Sequence, residues 1–282
     1  MSETAMQLDA HQHFWQYNQV EHTWMNDSMG VLKRDYMPAD LKPLLDANGF
    51  NGCVAVQARQ NLEETRWLLQ LSEQNAFVKG VVGWVDLRAN DVDAQLERFA
   101  DNKKLVGMRH IVQDEPDDRF LLGDAFMRGV KRLAAHGLVY DVLVYPKQLP
   151  AAVEFVRAFP EQPMVLDHIA KPPIGEKCLE PWATEIRALA KSRNLSCKLS
   201  GMVTETTWRG WKAEDFKPYL EVVLEAFGPE RLMIGSDWPV CLLSAEYREA
   251  IGLVKDFIGS LSGDEQASIL GGTCARVYGI ER

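Results

Sequence analysis

Short apolar runs of strand length alternate along this chain with amphipathic segments of helical length. The apolar runs predict eight strands, at residues 7–13, 53–58, 78–86, 105–112, 138–145, 163–169, 195–201 and 231–237. Helical spacing follows each run, in segments at 38–49, from 61 onward, and at 91–103, 124–136, 149–159, 180–193, 216–227 and 245–258. Strict alternation with apolar strand centres is typical of a parallel sheet that is covered on both faces.

Two of the predicted helices carry explicit end signals. Pro38 suits the first turn of a helix, where its missing N–H is not needed, and Gly49 suits the position just after the end. Asn61 with Glu64 three residues later has the pattern of a capping box. These signals support the helical reading of the segments between the strands.

Eight strand and helix repeats in 282 residues predict a (β/α)8 barrel, the TIM barrel, as the α/β fold of this chain. No GxGxxG pattern follows the first strand, so a dinucleotide-binding open sheet lacks its main support. No Pro/Gly/Ser-rich linker divides the chain, and we expect one domain over residues 1–282. The tail ILGGTCARVYGI predicts a short closing helix on the barrel.

Composition and charge narrow the class of ligand. The chain is 46% hydrophobic and 25% charged, with a formal net charge of −9. An acidic surface without a Lys/Arg-rich run argues against nucleic-acid binding, and favours a small polar or neutral ligand. The five cysteines lack CxxC spacing and are odd in number, which indicates reduced thiols.

The chain has no signal-peptide pattern and no apolar run of about 18 residues, the length that a membrane span needs. We therefore expect a cytoplasmic protein without a membrane partner. Composition leaves a monomer and a homo-oligomer equally open.

The carboxyl ends of the predicted strands are unusually polar. They carry His11 and His13, Gln57 and Arg59, Arg109 and His110, Asp167, His168 and Lys171, and Ser236, Asp237 and Trp238. Alternate residues of a strand point to the same face, so the two histidines of QLDAHQHFW should project side by side. In a (β/α)8 barrel the strand ends meet at the face that carries the active site.

This set of residues suits hydrolysis at a carbonyl group. Asp237 can serve as general base toward a water molecule. The imidazoles opposite it can bind a divalent metal that lowers the pKa of that water, or can themselves donate hydrogen bonds to a developing oxyanion. The residues alone leave both arrangements open.

Three motifs in order, HQH at the first strand, LDHIAKP at the sixth and GSDWP at the eighth, resemble the amidohydrolase superfamily. Further stretches resemble the branch that holds sugar lactonases and 2-pyrone-4,6-dicarboxylate hydrolase: GMRHIVQ, DVLV, CKLSGM and ILGGTCARVYGI. The resemblance covers essentially the whole chain. It implies a hydrolase of a small sugar lactone, such as L-fuconolactone or L-rhamnonolactone, with Asp237 as base and His11, His13 and His168 as the imidazoles.

The sequence departs from the metal-dependent members of that superfamily at two strands. The fifth strand, LVYDVLVYP, lacks their histidine, and the fourth offers Arg109, which stays protonated and cannot ligate a cation. His11, His13 and Asp237 remain as ligands, with His168 as a further candidate, if a metal such as zinc is bound. We expect the reaction to need no metal, with a single divalent ion as the alternative.

Around the proposed base we expect a substrate pocket. Gln57 and Arg109 are candidates for gripping ring hydroxyls, and the tryptophans that can form an apolar wall are Trp15, Trp84 and Trp238. Asp141 and Lys198 lie lower in their strands, where buried charges need partners, so we expect a buried network between them. Arg109 fits that network as well as it fits a role in substrate binding.

Residues 18–37 form a segment too long for a simple connection between a strand and a helix, and it is a candidate lid over the site. Two competing functions follow from the same residues. A metal-dependent decarboxylase or amide hydrolase of the superfamily would require a tightly bound metal. A non-catalytic barrel would have lost its polar strand ends, which this chain keeps.

Overall fold

The computed structural model describes residues 6–281 and confirms the predicted (β/α)8 barrel. Eight parallel strands pair in chain order: β1 Leu8–Gln12, β2 Gly52–Val56, β3 Val78–Gly83, β4 Leu105–His110, β5 Val139–Val142, β6 Met164–Leu166, β7 Leu195–Leu199 and β8 Leu232–Ile234. The first and last strands meet through two backbone hydrogen bonds, from Asp237 N to His11 O at 2.8 Å and from His13 N to Trp238 O at 2.7 Å.

Helices occupy the segments between the strands. They are α1 Pro38–Ala47, α2 Leu62–Gln74, α3 Val92–Glu97, α4 Asp124–Leu133, α5 Leu149–Ala158, α6 Trp182–Leu189, α7 Ala213–Phe227 and α8 Tyr247–Ile258. The side chain of Asn61 accepts from the backbone N–H of Glu64 at 2.7 Å, which confirms the predicted start of α2. Several strands are shorter than predicted at their carboxyl ends, because the polar residues there leave the ladder for turns that face the site.

The tail at residues 269–280, predicted as a short closing helix, contains the short helix α10 Thr273–Val277, and another short helix, α9 Gly263–Ala267, precedes it. Between them, a Cβ on Gly271 would lie 2.0 Å from the carbonyl oxygen of Met6. Glycine is therefore required where this segment crosses the start of β1.

Two layers of apolar side chains stabilise the barrel. The larger cluster fills the space between the strands and the helices, and a smaller one, which includes Leu8, Val54 and Met233, fills the amino-terminal half of the barrel interior. Tyr278 from the closing segment packs against this smaller cluster. The charged side chains of the interior lie above it, toward the carboxyl ends of the strands.

No helix within residues 6–281 combines the length and the apolar character that crossing a bilayer requires. All five cysteines are free, as the sequence indicates, and only Cys178 is exposed.

Candidate active site

Three strand ends bring a carboxylate and three imidazoles together. His13 Nε2 lies 3.2 Å from His11 Nε2 and 3.3 Å from Asp237 Oδ1. His11 Nε2 is 3.8 Å and His168 Nε2 is 3.9 Å from the same carboxylate oxygen. All four side chains are buried. The structure therefore brings together the four residues predicted as catalytic.

The backbone that presents two of these groups is left-handed. His168 has φ 54° and begins a run of four non-glycine residues with positive φ that ends at Lys171, and Asp237 has φ 56°. Such conformations cost about 1–2 kcal/mol per residue, so the surrounding structure must hold them. Gly201 is part of that support, because a Cβ there would lie 2.4 Å from His168 Nδ1.

Asp9 ties β1 to the turn after β8. Its carboxylate accepts from Ser236 N at 2.9 Å, from His11 N at 3.2 Å and from Tyr247 OH at 2.9 Å. Burial raises the pKa of Asp9 to about 6 against the opposing effect of these hydrogen bonds. Asp9 thus fixes the two chain segments that carry His11 and Asp237, a role that the sequence did not reveal.

A buried ion network lies beneath the imidazoles. Lys198 Nζ is 2.5 Å from Asp141 Oδ2 and 3.0 Å from Asp167 Oδ1, and Arg109 Nη1 is 3.0 Å from Asp167 Oδ2. Tyr278 OH donates to Asp141 at 2.8 Å. The predicted Asp141–Lys198 pair is confirmed, and Arg109 joins it.

Gln57 supports Arg109 from the side. The guanidinium donates to Gln57 Oε1 from Nε at 3.2 Å and from Nη2 at 2.8 Å. Gln57 is fully buried, while Arg109 also reaches the cavity described below. Gln57 therefore orients the guanidinium through these bonds.

The site is electrostatically asymmetric. Burial lowers the pKa of His168 to about 4 in spite of Asp237 and Asp167 nearby, and burial lowers the pKa of His11 well below its ordinary value. Burial raises the pKa of Asp237, but His168 and the other two imidazoles outweigh burial and hold it below its usual range. At neutral pH the cluster therefore holds an ionised carboxylate beside neutral imidazoles of His11 and His168.

A cavity of about 290 Å³ opens above this cluster. Five residues predicted for the site line it: His13, Trp15, Arg109, His168 and Asp237. His11 lies behind them and is fully buried. The carboxylate and two imidazoles thus face a space that can admit a small molecule.

Three residues predicted to contact substrate are not among the described residues that line the cavity: Gln57, Trp84 and Trp238. The indole N–H of Trp84 donates to His110 Nδ1 at 3.3 Å, on the outer side of the strands. The ring of Trp238 packs edge-on against Tyr36 at 5.1 Å. Both indoles pack behind the wall of the cavity.

The cavity wall includes residues to which sequence reasoning gave no role in the site. They are Met29, Ala58, Ile111, Gln113, Asp114, Leu143, Tyr145, Lys171 and Val240. Trp24 also lines the wall, so the segment 18–37 contributes both Trp24 and Met29. Its unusual length was the signal that pointed to this covering role. Arg59 bonds Glu21 of that segment and Glu64 of α2, and so ties the segment to the barrel.

His11, His13 and Asp237 fit a divalent metal by distance. Their nearest ligand atoms are separated by 3.2, 3.3 and 3.8 Å. Tetrahedral zinc with bonds of 2.0–2.1 Å separates its ligand atoms by about 3.3 Å. A second group, formed by His11, Asp167 and His168, also brings its ligand atoms within 4.8 Å of one another.

Two known proteins are similar to this chain over nearly its whole length. The chain is 45% identical to an L-fucono-1,5-lactonase of Burkholderia multivorans, over 98% of this chain and 97% of the relative. It is 36% identical to an L-fucono-1,5-lactonase of Burkholderia ambifaria, over 99% and 97%.

A solved structure extends the comparison to three dimensions. A crystal structure of an amidohydrolase from Burkholderia multivorans with bound zinc is 44% identical, with a TM-score of 0.94 over 98% of this chain and 100% of that one. The model of the amidohydrolase family matches residues 8–280. That match spans the barrel from β1 through the closing segment, including every residue of the imidazole and carboxylate cluster, and the chain therefore belongs to the amidohydrolase family.

Proposed function

We propose that this protein is a hydrolase that opens a small sugar lactone to the sugar acid, in the cytoplasmic breakdown of carbohydrates. The substrate is an aldonolactone of the L-fuconolactone or L-rhamnonolactone kind. The observation that carries this proposal is Asp237, ionised and facing His13 and His168 at the wall of a small cavity. The names of the two Burkholderia relatives support the class of substrate.

In the first step, Asp237 takes a proton from a water molecule whose oxygen adds to the lactone carbonyl carbon. The depressed pKa of Asp237 keeps the carboxylate in its unprotonated, ionised form at neutral pH. The carbonyl oxygen becomes an oxyanion, which His168 stabilises from the cavity wall, where His13 also lies, with His11 behind them.

In the second step, the tetrahedral intermediate collapses. The bond between the acyl carbon and the ring oxygen breaks, and the proton held by Asp237 passes to the departing alkoxide. The water has then supplied the hydroxyl of the new carboxylic acid and the hydrogen of the new alcohol. No further reactant is needed.

Arg109 and Trp15 are the predicted binding residues that line the cavity, and we propose that they contact the sugar. Gln57 acts through Arg109, which it orients. Trp84 and Trp238 act from behind the wall, where they hold the strand ends that shape the cavity.

If a divalent metal is bound, His11, His13 and Asp237 are the residues that would hold it. A bound ion of this kind lowers the pKa of a water ligand and polarises a carbonyl oxygen. We propose that the reaction does not depend on it. The contact of Lys198 Nζ with His11 Nδ1, at 3.2 Å, supports this proposal, because a metal-binding histidine donates its second N–H to an acceptor and an ammonium group accepts nothing.

A panel of substrates with a pH indicator tests the function. We expect acid release from aldonolactones, because ring opening yields an ionised carboxylic acid, and none from amides or aromatic carboxylates. If every lactone is inert while an amide is hydrolysed or a carboxylate loses carbon dioxide, the proposal is overturned in favour of the competing superfamily reactions.

A further inference from the structure

His11 lies between groups that cannot all be satisfied by one placement of its proton. On its buried side, Lys198 Nζ lies 3.2 Å and Asp167 Oδ1 lies 3.4 Å from Nδ1. On the other side, Nε2 faces His13 Nε2 at 3.2 Å and Asp237 Oδ1 at 3.8 Å. A neutral imidazole carries a proton on one nitrogen only, so its partners decide which one.

The contacts of Lys198 determine whether Nδ1 of His11, the nitrogen on the buried side, carries the proton. An ammonium group has three N–H donors and no acceptor. Lys198 Nζ donates to Asp141 Oδ2 at 2.5 Å and lies within hydrogen-bond distance of His11 Nδ1 at 3.2 Å, while Asp167 Oδ1 at 3.0 Å is an ion-pair contact. A proton on Nδ1 would face the ammonium and leave one buried donor without a partner. Nδ1 of His11 is therefore the acceptor.

The other side of the ring leads to the same assignment. His13 Nδ1 lies 2.8 Å from the carbonyl oxygen of Val56, which only accepts, so the proton of a neutral His13 is on Nδ1 and its Nε2 bears a lone pair. That lone pair and the ionised Asp237 Oδ1 both face His11 Nε2. A proton on His11 Nε2 gives both of these acceptors a donor.

The contact with Arg109 does not reverse this assignment. Arg109 Nη1 lies 3.4 Å from His11 Nε2, but it is closer to Asp167 Oδ2, at 3.0 Å. The other guanidinium nitrogens donate to Gln57. Arg109 has its partners elsewhere, whereas the third donor of Lys198 depends on His11.

A metal at the same place would require the opposite tautomer. A metal-binding histidine offers the lone pair of one nitrogen and donates the N–H of the other to a carboxylate, a carbonyl or water. For His11 that second acceptor would be Asp167 Oδ1, which already lies 3.0 Å from Lys198 Nζ. Lys198 and a bound metal thus make opposing demands on one imidazole.

We propose that Lys198 is a positioning residue that holds His11 in the Nε2-protonated tautomer, and so keeps the cluster a hydrogen-bond array in which His11 supports His13 and Asp237. The inference deepens the proposed metal-independent hydrolysis and rests on it for its functional meaning. Its tests use no lactone, so its failure is distinguishable from failure of the proposed function.

The tautomer can be read directly by ¹⁵N NMR of the imidazoles in metal-stripped wild-type protein at neutral pH. We expect His11 protonated at Nε2 and His13 protonated at Nδ1. A spectrum that shows His11 protonated at Nδ1 overturns the proposal, whatever the variants below show.

Zinc affinity provides the second test, measured by competition with a chromophoric chelator. Lys198→Met combined with Asp141→Asn removes one positive and one negative charge together, which avoids an uncompensated buried ion. We expect zinc to bind this variant about tenfold or more tightly than wild type, a change similar in size and opposite in sign to the loss of a group that supports a metal ligand. The matched control, Tyr278→Phe, removes the other partner of Asp141 without touching His11, and its zinc affinity should equal that of wild type.

Circular dichroism establishes that both variants are folded before zinc is titrated. Equal zinc affinity in the folded double variant and wild type contradicts the proposal, and so does an equal gain in the Tyr278→Phe control. If the double variant does not fold, the NMR spectrum of the wild type still decides.

Discussion

The ends of strands β1 and β4 both carry histidine, but only those of β1 belong to the site. His11 and His13 stand two residues apart and share the face that looks into the barrel. At the end of β4, Arg109 and His110 are neighbours and take opposite faces. Arg109 reaches the cavity, while His110 stacks on Phe120 with ring centroids 4.8 Å apart.

The difference shows that strand parity, and not residue type, decides which imidazole faces the interior of the barrel. The inward imidazoles face the ionised Asp237. His110 instead bonds Glu115 at 2.6 Å and Trp84 at 3.3 Å, in an aromatic layer between the strands and the helices. The same type of side chain faces the candidate site on one face of the strands and packs among aromatic rings on the other.

The largest effect is expected from removing the base. Asp237→Asn keeps the shape of the side chain but cannot accept the proton from water, so kcat should fall by about 10³-fold, within the range for general-base catalysis. The control is Asp46→Asn, an exposed carboxylate on α1 that is not among the residues lining the cavity and should keep a kcat close to wild type. Near-normal turnover by folded Asp237→Asn would remove Asp237 from its role.

Substituting an inward and an outward histidine tests the comparison directly. His168→Gln should lower kcat by about 10²-fold, because it removes an oxyanion donor from the cavity wall. His110→Gln should leave kcat nearly unchanged and lower the melting temperature, since it disturbs the aromatic layer. Equal losses of kcat in the two variants would show that strand parity does not separate their roles.

Substitution of Arg109 tests the buried ion network that lies beneath the inward-facing imidazoles. Arg109→Met leaves Asp167 with one fewer cation, and removing one partner of a buried pair costs about 3–5 kcal/mol in free energy of unfolding. Denaturant titration measures this loss. Arg119→Met breaks an exposed pair with Glu154 and should leave the unfolding midpoint unchanged. A small loss in Arg109→Met would mean that Lys198 alone neutralises Asp167.

The pH dependence of kcat reports the inward imidazole. His168 should stay neutral down to its pKa of about 4, so activity should persist through pH 5 and fall near pH 4. Because the unfolded chain binds this proton near pH 6.5 and the folded protein does not, the stability that His168 contributes is present above pH 6.5 and is lost as pH falls toward 4. An acid limb of kcat near pH 6.5 would contradict the buried, neutral imidazole.

The strands, the helices and the members of the imidazole and carboxylate cluster were predictable because their signals are local. Apolar periodicity gave the order of the elements, and the spacing of His11 and His13 placed both on one face. The contacts of Trp84 and Trp238 were not predictable, because the alternation of a strand no longer sets the direction of a side chain beyond the strand end. Trp238 follows Asp237, whose left-handed backbone redirects the chain.

Other parts of the site depend on contacts between distant segments. Lys171 reaches the cavity through four consecutive left-handed residues, a conformation that no local preference of those residues favours. Asp9 accepts a hydrogen bond from the backbone N–H of Ser236, which lies 227 residues further along the chain. The proton position proposed for His11 likewise depends on Lys198, which lies on β7, with β8 between it and β1.

We propose that Asp237 and the imidazoles hydrolyse a lactone without needing a metal. The most direct measurement is kcat for L-fuconolactone by metal-stripped protein, with and without added zinc. We predict that the stripped protein keeps most of its activity and that zinc restores little. Activity that is absent after stripping and returns in proportion to bound zinc would contradict the account.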